Sequence, residues 1–282
     1  MKLIMTLLVR DEQDILAANI DYHLSQGVDF IIVTDNLSAD NTPDILADYQ
    51  RQGVVQVITE TRDDYSQHEW VTRMARIAAT EHGADWVINN DADEFWWPLA
   101  DNSLKSYFTR LPDHVQAVTV PRHNYPVIAA DESDLRPFYE RLIFKDTASE
   151  NALGRPLPPK VCHRAHADIH VGQGNHTVSL TSENLAAPAG ELVICHYPAR
   201  SYAQFANKIR LGGAAYARNT VLDKAIGHTW RYLYEQYNEG RLQDFYLQQI
   251  PDTPTLANLI DSGRYVADLQ LRDYLRQLYR QP

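Results

Sequence analysis

The strongest constraint in this chain is a rhythm near its N-terminal end. Four short apolar runs, LIMTLLV from Leu3, VDFIIVTD from Val28, VVQVIT from Val54 and DWVINND from Asp85, alternate with segments of helical period. EQDILAANIDYHLSQG sets Ile15, Ile20 and Leu24 near one face and closes on Gly27. NTPDILADYQRQG begins beside Pro43, groups Ile45, Leu46 and Tyr49, and closes on Gly53; QHEWVTRMARIAATEHG is the third such segment. Runs with so few polar positions have no face to give to water, so they belong in a parallel sheet covered by helices on both sides. The fold class is therefore α/β, with a mostly parallel central sheet flanked by helices.

Beyond Leu111 the rhythm changes. QAVTVPRHNYPV, PFYERLIF, KVCHRAHADIHV, HTVSL and ELVICHYP read as strands joined by proline-rich and glycine-rich loops, which makes a mixed-strand region. From Ser201 the pattern is helical, through SYAQFANKIRLGGAAYARN to YVADLQLRDYLRQLYR. The expected organisation is one domain over 1–218, with halves at 1–111 and 112–200, followed by a helical extension over 219–282.

Charge and cysteine content narrow the function. Twenty-six Lys and Arg against 37 Asp and Glu leave a net charge of −11, which repels a phosphate backbone and disfavours nucleic acid as a partner. The two cysteines, in VCHR and ICHY, read as small apolar residues in strands and not as a disulfide framework or a zinc site. MKLIMTLLVRDEQ meets charge too early for a signal peptide, and no run approaches the ~20 apolar residues a membrane span needs. The expectation is a cytoplasmic protein, with a peripheral seat at the inner face of the membrane open to it.

Ligands of open α/β sheets bind beyond the carboxyl ends of the strands. Each of the four exits is loaded: Arg10-Asp11-Glu12, Asp35 to Asp40, Arg62-Asp63-Asp64, and Asp91-Ala92-Asp93-Glu94. Acids are ordinary in loops, and one of them at the last exit would serve as a helix or turn cap. A cap needs one acid, and here there are three beside apolar neighbours. In an extended segment the spacing of Asp91 and Asp93 sends both carboxylates to one side, an arrangement of hard oxygens that suits Mg²⁺ or Mn²⁺.

INNDADEF, VTDNLSADNT and LLVRDEQDI together resemble the glycosyltransferase family 2 superfamily, and the D-x-D-E-F form with HYPARSYAQFANKI is similar to a small bacterial subgroup related to family 92. The likeness runs from about residue 3 to 218 and is most specific in its N-terminal half. It implies the GT-A type of fold, a nucleotide-diphosphate sugar donor such as a UDP- or GDP-sugar, and a glycan or lipid-linked acceptor of the cell envelope. It implies that Asp35, Ser38 and Asp40 hold the base and ribose of the donor, with Arg10 and Glu12 at the neighbouring exit. Asp91 and Asp93 would hold ribose and the metal bound to the diphosphate, whose charge grows as the glycosidic bond breaks. The resemblance also offers His196 as a further metal ligand, with His176 as its alternative; Lys160, Lys208, Arg10 and Arg62 are candidate cationic partners of the phosphates, the two lysines favoured because they lie in the segments that resemble the family.

An acceptor hydroxyl needs a general base. Glu94, Glu132 and Asp134 are the candidates, with Glu94 equally suited to orienting its own loop. Trp96 and Trp97, beside the acids, are candidates for stacking on an acceptor sugar, whereas the aromatic residues of the tail read as core. Three other classes fit parts of the pattern. An aspartyl phosphohydrolase also places D-x-D after a strand, but Glu94-Phe95 stands where a tight turn is usual. A nucleotidyltransferase would show a glycine-rich loop after the first strand, and LLVRDEQDI has no glycine. A non-catalytic carbohydrate-binding protein would have no need of paired acids.

Overall fold

A computed structural model describes all residues except 130–132, 181–183, 187–190, 224–225 and 281–282, and for 184–186 it describes the backbone alone. The chain divides into two compact units. The first comprises residues 1–62, 66–122 and 158–195, and the second comprises 63–65, 123–157 and 196–282. These units do not follow the contiguous division into 1–218 and 219–282, because the chain leaves the first unit and returns to it.

The first unit contains β1 (Leu3–Val9), α1 (Leu16–Ser25), β2 (Phe30–Asn36), α2 (Thr42–Arg51), β3 (Val55–Glu60), α3 (Gln67–Thr80), β4 (Trp86–Asp91), β5 (Glu94–Pro98), α4 (Leu104–Thr109) and β6 (Ala117–Val120). β7 (Arg122–Asn124) leads out of it, and α5 (Phe138–Arg141) and β8 (Phe144–Asp146) follow in the second unit. The chain then returns for β9 (Lys160–Arg164), β10 (Asn184–Ala186) and β11 (Leu192–His196). The second unit finishes with α6 (Tyr202–Arg218), α7 (His228–Asn238), α8 (Leu242–Gln248), α9 (Thr253–Asp261), β12 (Tyr265–Ala267) and α10 (Gln270–Leu278).

Seven strands form the main sheet in the order β10-β6-β9-β4-β1-β2-β3. β3, β2, β1 and β4 are mutually parallel, and β9 runs antiparallel to both β4 and β6. β1 is central and almost entirely buried, as its run of apolar residues, interrupted only by Thr6, requires. From β1 the chain moves outward through β2 to β3 and then crosses to β4 on the other side of β1, so the strand order reverses between β1 and β4. Val71, Met74, Ala75 and Ala78 of α3, spaced at helical intervals, pack on Ile4, Ile32 and Val87 of the sheet. Gly27 and Gly53 take φ of +89° and +76° just past α1 and α2, the conformation in which glycine ends a helix.

Some local expectations are corrected. Phe95–Pro98 continues β5, which neighbours β11 in a second, smaller sheet, and is not a helix start. PFYERLIF holds a short helix over Phe138–Arg141, opened by Pro137 at φ −54°, before it becomes β8. HTVSL contributes one isolated bridge, Val178 to Val171. Tyr265–Ala267, expected to be helical, pairs antiparallel with β8 in the second unit. In that unit Ile209, Leu233 and Leu242 form a core to which Trp230, Tyr232, Tyr234 and Tyr237 are added, so these tail aromatics are packing residues. Among the described residues no helix is long and apolar enough to cross a membrane.

Candidate active site

The parallel register brings the four exits level. Val9 pairs with Asp35, Asp35 with Thr59, Asn36 with Glu60, and Leu8 with Asp91. Asp91 therefore closes β4 beside the end of β1, at the point where strand order reverses, which is where open α/β sheets take their ligands. β9 opens on the same edge because it runs antiparallel to β4, and Val120 near the end of β6 pairs with Lys160.

This pairing fixes the charges. Lys160, 1% exposed, places Nζ against Asp91 Oδ2 and 3.3 Å from Glu94 Oε1. Arg122 donates to the same Glu94 Oε1 at 3.0 Å. Asp91 Oδ1 accepts from Gln67 Nε2 at 3.3 Å and from Asn175 Nδ2 at 3.2 Å. Two cations thus meet the carboxylates of Asp91 and Glu94, and this is how those two acids survive among apolar neighbours. The match is incomplete. Glu94 is fully buried, yet its Oε2 has no hydrogen-bond partner, and neither has Asn175 Oδ1. Buried acceptors in that state are uncommon and call for a cation or a donor. With hard carboxylate oxygens as the donor set, the residues present fit Mn²⁺ or Mg²⁺.

The expectation that Asp91 and Asp93 extend along one strand is corrected, since β4 ends at Asp91 and Ala92-Asp93 form a turn into β5. Asp93 is 3% exposed. What holds the turn is a polar face of α1 that sequence reasoning missed. Asn19 donates both amide hydrogens, to Ala92 O at 3.0 Å and Glu94 O at 2.8 Å, and its Oδ1 accepts from Asn90 Nδ2 at 3.1 Å. Trp96 donates its indole N–H to Asn90 Oδ1 at 2.9 Å, and its backbone N–H points to His23 Nε2 at 3.4 Å. His23 Nδ1 faces only acceptors, Asn19 O at 2.8 Å and Asn19 Oδ1 at 3.1 Å, so the ring is neutral with its proton on Nδ1. Full burial, opposed by the bond to Asn19 O, lowers the His23 pKa to about 4. The signal was present: Asn19 and His23 lie four residues apart on the buried side of α1, among Leu16, Ala18, Ile20 and Tyr22.

The remaining assignments fall into groups. Asp35 is buried and Oδ1 accepts from Ser38 N at 3.3 Å; Ser38 Oγ accepts from Asp11 N at 3.0 Å. Asp40 accepts from Gln13 N at 3.1 Å and Thr42 N at 2.8 Å, so it ties the first two exits together. Arg10 is half-buried and Glu12 buried at the first exit, with Glu12 N donating to Thr42 Oγ1. Arg62 is exposed, pairs with Glu69 at 2.6 Å and lies over the Trp70 ring. Trp96 is wholly buried, which corrects its assignment as a stacking platform, whereas Trp97 is half-buried and stacks on Tyr22 at 5.7 Å. His176 faces Pro159 O at 2.7 Å, and desolvation followed by Lys160 lowers its pKa to about 4. Cys162 and Cys195 are free and buried.

In the second unit, His196 is half-buried at the end of β11 and its Nδ1 lies 2.7 Å from Asn124 Oδ1, which fixes that proton and turns Nε2 into the ring's basic nitrogen. Lys208 is half-buried on α6. Asp134 is held by Arg136, which lowers its pKa to about 2. Glu132 lies outside the described residues.

An acid-rich turn at the switch point of a parallel α/β sheet defines a class of ligand-binding enzyme architecture, and the family follows from the sequence comparison. The family model of glycosyltransferase family 92 matches residues 5–253, and the chain belongs to that family. It is a transferase of the glycosyltransferase class. No curated protein matches it. Solved structures similar to it include Staphylococcus aureus TarS 1–349, at 13% identity over 89% of this chain and 81% of that one with a TM-score of 0.47. The same TarS segment in complex with UDP-GlcNAc gives 11% identity, 89% and 82% coverage and a TM-score of 0.46. Glucosyl-3-phosphoglycerate synthase from Mycobacterium tuberculosis, in complex with Mn²⁺, UDP and phosphoglyceric acid, gives 19%, 44% and 43% coverage and 0.32.

Proposed function

We propose that this glycosyltransferase takes a nucleotide-diphosphate sugar, UDP- or GDP-linked, with Mn²⁺ or Mg²⁺, and transfers the sugar to a glycan or lipid-linked acceptor of the cell envelope, working at or near the inner face of the membrane. The observation that carries this reading is the group of acids Asp91, Asp93 and Glu94 at the switch point, in which the buried Glu94 Oε2 has no hydrogen-bond partner, with the Asp35–Asp40 loop level with it across β1. Asp91, Asp93 and His196 are the proposed metal ligands, with His176 as the alternative. Arg10, Glu12, Asp35, Ser38, Asp40 and Arg62 are proposed to line the nucleotide, and Lys160 and Lys208 to meet the phosphates. When bound, the cation neutralises charge on the departing diphosphate. Trp97 is proposed to receive the acceptor sugar.

The base assignment shifts with the geometry. Glu94 is ion-paired on one oxygen and unsatisfied on the other, so it supports the site as a structural anion more naturally than as a freely accessible base. The test is a thermal-shift screen of nucleotide diphosphates and nucleotide sugars, with and without Mn²⁺, on wild type and Asp93→Ala, followed by a transfer assay with the stabilising donor. A ligand at 100 times its Kd adds about 2.7 kcal/mol of stability, an easily read rise in Tm. If no nucleotide raises the wild-type Tm, with or without metal, the donor reading is wrong.

A further inference from the structure

Lys160 is in an unusual position for a residue whose work would be to meet phosphate. Its side chain is 2% exposed, and its ammonium sits between Glu94 Oε1 and Asp91 Oδ2, an oxygen of a proposed metal ligand. Gln67 and Asn175 saturate the other oxygen of Asp91. A divalent cation and the ammonium therefore seek the same Asp91 carboxylate, and two cations cannot share it at contact distance without strong repulsion. Glu94 Oε2, fully buried and without a hydrogen-bond partner, is the vacant acceptor beside this pair, which shows that the ammonium satisfies the group only in part.

We propose that Lys160 is an internal counter-cation that competes with the divalent metal for Asp91, so that metal binds well only when an anion draws the ammonium away. This rests on the nucleotide-sugar reading above, and the anion it names is the diphosphate of the donor. Free of ligand, the lysine neutralises the acids and keeps the turn intact. With donor diphosphate present, the ammonium has a second anion to pair with, Asp91 is released, and metal and nucleotide bind in a coupled way. Coupling of this kind is reciprocal, so the metal raises nucleotide affinity by the same factor. Lys160 is a positioning residue in this account, since it sets which carboxylates are available.

The experiment measures Mn²⁺ binding to the full chain by titration calorimetry and by the paramagnetic signal of free Mn²⁺, without nucleotide and with UDP, for wild type, Lys160→Met, Lys160→Gln and Lys160→Arg. Breaking a buried pair leaves an uncompensated charge, so the neutral variants should bind Mn²⁺ without nucleotide on the order of tenfold more tightly than wild type, or better. Lys160→Arg keeps the cation and should stay as weak as wild type. UDP should tighten Mn²⁺ binding strongly in wild type and much less in the neutral variants. Where Lys160→Met folds only with Mn²⁺ present, by circular dichroism, the proposal is supported, and Lys160→Gln, which keeps a hydrogen-bond donor, carries the affinity measurement. Equal Mn²⁺ affinity in wild type and the neutral variants overturns the competition while leaving the donor reading intact. Absence of Mn²⁺ binding in every variant overturns it together with metal dependence, and the nucleotide thermal shift still reports on the donor separately.

Discussion

The turn from Asp91 to Glu94 has two sides of opposite character. Facing α1, it is held by neutral groups that satisfy one another: Asn19, Asn90, His23 and Trp96. Facing β9, it is held by charges that do not close their account, with Lys160 and Arg122 on one oxygen of Glu94 and nothing on the other. A fully satisfied network gives a single rigid geometry, whereas a partly satisfied one retains affinity for whatever completes it. The contrast teaches that the same four residues are positioned by one side and made reactive toward ligands by the other.

The largest expected effect breaks the neutral side. Asn19→Ala removes the side-chain donor from two buried carbonyls and the acceptor from Asn90, and each buried group left unsatisfied costs about 1–3 kcal/mol, for a total on the order of 4 kcal/mol. Urea denaturation measures it directly. A loss below about 1 kcal/mol would mean that the turn holds itself and that the comparison drawn above is wrong.

A smaller effect sharpens the comparison through pH. The folded state lowers the His23 pKa from 6.5 to about 4, so between those values the unfolded chain binds the proton and the folded chain does not. The stabilisation is fully present above pH 6.5 and drains away as pH falls toward 4, by about 3 kcal/mol at most for this one group. His23→Gln, which cannot take up that proton, should show a shallower decline of Tm over this window. An unchanged slope would place the acid sensitivity elsewhere, with His163 and His176, also lowered to about 4, as the next groups to change.

How far the sequence carried these conclusions depends on the kind of signal. The parallel strands were legible because a doubly covered strand must be apolar along its whole length, and the acids at Asp35 and Asp91 were legible because chain exits from such strands face ligands. Lys160 was noticed as a cation near the site, yet its pairing with Asp91 follows from β9 running antiparallel to β4, a long-range register that no local pattern encodes. Asn175 was hidden for a related reason: it takes φ +61° at the end of a short 3-10 turn, Gln173–Asn175, 84 residues from the aspartate it contacts. Asn19 and His23 read locally as imperfections in an amphipathic helix. Trp96 was misread because proximity in sequence to the acids says nothing about which face of β5 a ring occupies, and strand neighbours alternate sides. PFYERLIF misled through its aromatic and branched content, which proline before Phe138 outweighed.

The smallest expected effect asks whether chemistry belongs to the turn at all. Asp134, a candidate base, is in the second unit and is held by Arg136 with its pKa near 2. At neutral pH it carries the charge a base needs, but a carboxylate that weakly basic has little drive to accept a proton from a sugar hydroxyl, since efficiency rises as the base pKa approaches the working pH. Asp134→Asn should therefore leave the rate of sugar transfer, its pH profile and the Tm as they are in wild type, because the ion pair it breaks is exposed and such pairs contribute little. Loss of transfer with an unchanged donor KM would reverse the ordering: the base would then lie on Asp134, and the charged side of the turn would be left with binding the donor while the acceptor is activated by the other unit.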